Sequence, residues 1–98
     1  MATTQEKPTL NFLKTGNEFK TFAVTGKAGM EMPKHISTKE AVVVVRKGNA
    51  TLKIGEKEHK LATGDVFIIP GRKVHSLSLH SDFKALVIMA LESEILFK

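Results

Sequence analysis

With no cysteine among its 98 residues, the chain leaves its chemistry to four histidines, carboxylates, lysines and hydroxyls. Disulfides, thiolate metal sites, iron–sulfur clusters and thiol nucleophiles are thereby excluded. Histidine titrates near neutral pH and is the commonest metal ligand, so His35, His59, His75 and His80 come first. His75 opens an alternating run in which His75, Leu77 and Leu79 share one face while Ser76, Ser78 and His80 share the other. That parity sends His75 toward an interior and His80 toward solvent. His59 shares parity with Leu61 in a plain hairpin strand, and neither His59 nor His80 has the surroundings of a ligand. Asp65 and Asp82 fall in turns, so no Ser–His–Asp arrangement is expected. The glycines are dispersed turn formers without a phosphate-binding pattern.

The elements that must position these groups are short. No window of a dozen residues keeps the i, i+3, i+4 spacing of an amphipathic helix, whereas brief apolar runs alternate with turn signals from Leu10 onward. Strands are predicted at Phe19 to Val24, near His35, at Ala41 to Lys47, at Ala50 to Ile54, around His59 to Leu61 and at Val66 to Ile69. Three more are predicted at His75 to His80, Phe83 to Leu91 and Ile95 to Phe97, the last as an edge strand. Gly48-Asn49 reads as the tight turn of a hairpin, and Gly55-Glu56 as a second turn. Short strands at this spacing predict an all-β sandwich or barrel in one domain, residues 10–98, after a tail or lead-in strand at 1–9.

Composition narrows the partners. Hydrophobic residues at 42% and charged residues at 26% match a folded globular chain. The formal charge of +5 is spread one or two residues at a time, mostly beside acids, and Trp and Tyr are absent. This predicts a solvated surface rather than a nucleic-acid footprint. The longest apolar run, Ala85 to Leu91, falls far short of the ~20 residues that span a bilayer, and the start lacks a secretory signal. A cytoplasmic protein that meets no membrane is the expectation. Val42 to Val45 put apolar side chains on both faces of one strand, so the outer face needs cover, from the N-terminal strand or a terminal segment of the same chain or, as expected here, from a homodimer with two sheets face to face.

Two stretches resemble the signature motifs of the cupin family. In the first, Gly29, His35 and Gly48 fall in register; in the second, Gly64-Asp65, Pro70 and His75 do. The resemblance spans about half of the chain and implies a double-stranded β-helix, the jelly-roll barrel of cupins. It also implies that His35 and His75 point into one cavity. Cupins hold a metal with two His and a Glu from the first motif and a His from the second. Here Ser37 stands for the second His, Ala41 for the Glu and Leu79 for the closing Asn, so His35 and His75 remain.

The function expected on this basis is that of a barrel binding a small organic molecule without turnover, using His35, Ser37 and His75. Met32, with Met30, is expected at the rim, where thioethers line pockets for apolar ligands. Arg72, with Lys73, is expected there too, to receive a carboxylate or phosphate, at a position where the family commonly has Gly. The alternative is a metal-dependent enzyme of dioxygenase or isomerase type, with Mn, Fe, Ni or Zn on His35 and His75.

Overall fold

The computed structural model describes residues 7–97, and among them it holds ten strands and no helix. In chain order they are β1 (Thr9–Thr15), β2 (Phe19–Gly26), β3 (Glu31–Ser37), β4 (Ala41–Lys47) and β5 (Asn49–Ile54). Then come β6 (Lys57–Ala62), β7 (Val66–Ile69), β8 (His75–Leu79), β9 (Phe83–Ala90) and β10 (Ile95–Phe97). Among the described residues no helix is long and apolar enough to cross a membrane.

The strands form two antiparallel sheets, ordered β1-β2-β9-β4-β7 and β10-β3-β8-β5-β6. Alternation buries one face of each. Ala41, Val43 and Val45 on β4, with Ala85, Val87 and Met89 on β9, face Met32, Leu52, Leu61 and Leu79 of the other sheet. Phe83, 1% exposed, closes one end of this core. The architecture is the expected jelly roll, with one correction to the closed barrel: among the described residues no ladder joins the sheets, so they form a sandwich.

A second correction concerns Gly48-Asn49. β4 and β5 do not pair; β4 lies between β9 and β7, and β5 between β8 and β6. The chain turns a corner there and passes from one sheet to the other. Gly48 has φ 88°, and a Cβ on it would collide with the Asp82 carbonyl and Ser81 Oγ. Thr63 Oγ1 accepts the Gly48 N–H at 3.0 Å, and Ser81 Oγ accepts that of Asn49 at 3.0 Å, replacing the ladder bonds of a hairpin. The turn at Gly55-Glu56 does form a hairpin, with Ile54 opposite Lys57. Of the tail at 1–9, residues 1–6 lie outside the described residues, while Pro8 is buried and Thr9 already pairs with Thr25.

Candidate functional site

Met32 and His35 both point into the sandwich although they are three residues apart, which a regular strand forbids. The register of β3 against β8 slips between them, and the slip falls at Pro33-Lys34. Proline has no N–H to give to a ladder, so the irregularity settles where least is lost. One extra residue turns every later side chain to the other face, and His35 and Ser37 become inward residues.

His35 then stands directly opposite His75 on β8. Ile54 of β5 flanks His75 on one side, and Phe97 of β10 flanks His35 on the other. The two imidazole centroids are 4.2 Å apart with planes at 64°, and the Phe97 ring lies 5.0 Å from that of His35. Ser37 and Ile95 form the next row. Only 7% of His35, 4% of His75 and 2% of Ser37 is exposed, so these polar groups must find partners inside.

Each imidazole finds its partner in the same way. Nδ1 of His35 is 2.6 Å from the Pro33 carbonyl, and Nδ1 of His75 is 3.0 Å from the Lys73 carbonyl. A carbonyl can only accept, so both Nδ1 atoms carry the proton and donate. The neutral ring therefore presents Nε2 as a bare acceptor. Burial lowers both pKa values from the ordinary histidine range, more than the carbonyl bonds raise them, and for His75 the charge of His35 adds to the lowering. At neutral pH the pair is uncharged. The Ser37 hydroxyl donates to the Lys39 carbonyl at 2.8 Å, and the Ser37 carbonyl accepts the Arg72 N–H at 2.7 Å.

A cavity of about 60 Å³ opens beside this pair. His35, Ser37 and His75 are its polar lining; the rest is aliphatic, with Val43, Leu52, Ile69, Val87 and Met89 among the walls. Met32 lines it too, but one row deeper than the histidines rather than at the rim, paired with Leu77. Met30 lies at the opposite end of the sandwich, where its sulfur meets the Lys27 N–H. Arg72 is not in the lining: its backbone serves the site through Ser37, and its φ of 63° puts a bulky residue where glycine is at ease. Glu40, next to the position occupied by Ala41, is exposed. His80 is tied at 2.7 Å to Thr51 Oγ1, and His59 packs against Phe67 with centroids 4.8 Å apart.

Phe97 was not foreseen. Its strand was legible, but the side chain that covers His35 depends on β10 pairing with β3 across most of the chain, and nothing local signals that.

The arrangement of sheets and motifs has a match among known proteins. The model of the Cupin_2 family, cupin domain, aligns with residues 22–91, most of the chain. The chain belongs to the cupin family. Solved cupins agree with it in fold. A cupin-superfamily protein from Desulfitobacterium hafniense is 15% identical, with TM-score 0.79 over 94% of this chain and 84% of the other. An RmlC-like cupin from Desulfovibrio desulfuricans is 25% identical, with TM-score 0.75 over 91% and 89%. The DMSP lyase DddQ of Ruegeria pomeroyi, 20% identical with TM-score 0.83, is matched over 94% of this chain but 52% of its own. No curated protein matches the sequence.

The donor set of this cupin bears on the metal its family commonly holds. Among the described residues no group of three or more His, Asp, Glu or Cys converges. The Ser37 proton is committed to the Lys39 carbonyl, and Ala41 offers no donor. Two imidazole nitrogens fall short of the three protein ligands of a typical catalytic site. The residues present do not fit the family's metal centre.

Proposed function

We propose that this cupin binds a small, mainly apolar molecule carrying one hydroxyl or N–H, and holds it without turnover. The observation that carries the reading is the pair of tautomer-fixed imidazoles, which turn two acceptors toward an otherwise aliphatic cavity. Such a site rewards a donor on the ligand and penalises a carboxylate, which has only lone pairs to offer a neutral Nε2. Volume sets the size. At about 60 Å³ the cavity is less than half the ~150 Å³ of a cavity that admits benzene, so it suits water or a very short alcohol. A phenol needs more room, which would have to come from movement of side chains around the histidine row, where the exposed Phe97 lies against His35 on a strand of only three residues.

A reading as a metal-dependent dioxygenase or isomerase has less support, because among the described residues no third His, Asp or Glu joins His35 and His75. The test is a thermal-shift titration with short alcohols, phenols, sugars and short carboxylates, on wild type and His35→Ala/His75→Ala. The reading expects stabilisation by alcohols or phenols that the double variant loses. No stabilisation by any donor-bearing compound at millimolar concentration, or stabilisation by carboxylates alone, would overturn it.

A further inference from the structure

The loop between β9 and β10 carries a buried hydroxyl that does not line the cavity. Ser93 is 0% exposed, so its polar atoms must be satisfied inside. Its Oγ accepts the Lys39 N–H at 3.2 Å and lies 3.5 Å from Thr38 Oγ1, while its carbonyl accepts the Lys20 ammonium at 2.6 Å. Thr38 and Glu94 are bonded twice. The Thr38 N–H donates to the Glu94 carbonyl at 3.0 Å, and Thr38 Oγ1 accepts the Glu94 N–H at 3.0 Å. Behind this pair Gly71 allows close approach, since a Cβ there would lie 3.0 Å from the Lys39 backbone and 3.1 Å from the Thr38 carbonyl oxygen. The turn between β3 and β4 is thus held between Gly71 and Ser93.

Both neighbours of this clasp belong to the site. Ser37, immediately before Thr38, lines the cavity, and its hydroxyl is committed to the Lys39 carbonyl. Ile95, immediately after Glu94, opens β10, which sets Ile95 opposite Ser37 and Phe97 opposite His35. β10 is the shortest of the ten strands and stands at the edge of its sheet, so β3 alone gives it a ladder. Among the strands around the cavity it has the fewest ladder bonds to break, and local opening favours such segments. The bonds at residues 93 and 94 supply the hold that so short a ladder lacks.

We propose that Ser93 is a positioning residue that sets the size limit of the ligand site, by clasping Thr38-Lys39 to the start of β10 and so keeping Phe97 seated against His35. The inference rests on the ligand reading above. With β10 seated, the cavity of about 60 Å³ admits ethanol but not phenol. Phenol binds only the fraction of molecules in which β10 has swung off β3, and its apparent affinity is scaled by that fraction. Ser93 touches no ligand and acts through Thr38, Lys39 and Glu94.

Hydrogen exchange and NMR titration test it together. In Ser93→Ala the amides joining β10 to β3 should exchange about tenfold faster, the effect of one lost hydrogen bond, while those joining β5 to β8 keep their wild-type rates. Affinity for phenol should rise by that same factor, and affinity for ethanol should stay within about twofold. Thr38→Val, which removes the partner hydroxyl from the other side, should reproduce both changes. Thr38→Ser, which keeps that hydroxyl, should behave as wild type. Exchange that quickens as much between β5 and β8 as at β10 would make Ser93 a general stabiliser and overturn the proposal. So would opening at β10 with an unchanged ratio of phenol to ethanol affinity. Wild type that binds neither compound, with the exchange difference intact, would refute the ligand reading instead: the clasp would stand and the size limit would fall.

Discussion

One sheet carries all the histidines and the other carries none. β3, β6 and β8 bear His35, His59 and His75, and His80 follows β8, whereas in the other sheet β4, β7 and β9 supply mainly apolar side chains to both faces. The difference teaches how a small fold divides its work. A sandwich of this size has one core to build, and a buried polar group inside it costs free energy unless it is hydrogen-bonded. The histidine sheet meets that cost locally, through carbonyls two residues upstream of each ring. The aliphatic sheet can then be a plain wall, and the cavity lies where the two meet.

The comparison breaks first at the wall. Phe83→Ala, at a residue 1% exposed, should cost about 3–5 kcal/mol in denaturant unfolding. A loss below about 1 kcal/mol would show that the core there is loosely filled. At the histidine row the effect should divide differently. His75→Leu replaces a satisfied polar group by an apolar one of similar bulk, so stability should change by no more than about 1.5 kcal/mol. Binding of a donor-bearing ligand in calorimetry should fall by tenfold or more. Equal losses of stability and no loss of binding would assign the histidines to packing alone.

Protonation sharpens the same contrast. Both folded-state pKa values lie below the unfolded value near 6.5, so below that value the unfolded chain binds more protons than the folded one. The stability tied to the pair is therefore complete above that value and is lost as pH falls through the window toward the folded pKa values. Wild type should lose melting temperature across that window, and His35→Leu/His75→Leu should lose less. Parallel pH profiles for the two proteins would contradict the burial of neutral rings. The smallest effect belongs to Arg72, which holds a left-handed backbone without glycine's freedom. Arg72→Gly should raise stability by up to about 1 kcal/mol, since relief of the strain outweighs the extra entropy of the unfolded chain. A clear loss would mean that the arginine side chain makes a compensating contact.

Much of the fold was legible because strand alternation is local. His75 with Leu77 and Leu79, Val43 with Val45, and the turn at Gly55 all read correctly from neighbours in sequence. The corner at Gly48 did not, because a glycine with positive φ suits a hairpin and a sheet crossing equally. What decides between them is that β9 takes the place beside β4 and β8 the place beside β5, both from later in the chain. His35 was legible through its motif spacing, but its inward turn depends on the slip at Pro33, for which the proline itself is the local cue. Arg72 was expected to act through its side chain and acts through its N–H, a distinction the residue type does not encode. The size of the cavity belongs to packing, and no local pattern reports it.

The central claim is that both imidazoles are neutral, protonated on Nδ1, and turn a bare Nε2 into the cavity. Long-range nitrogen–proton correlation spectra of nitrogen-15-labelled protein at neutral pH read this directly. The account requires His35 and His75 to show the Nδ1–H tautomer, with an Nε2 resonance that moves when a short alcohol or phenol is added. An Nε2–H tautomer or a charged imidazolium at either residue would contradict it.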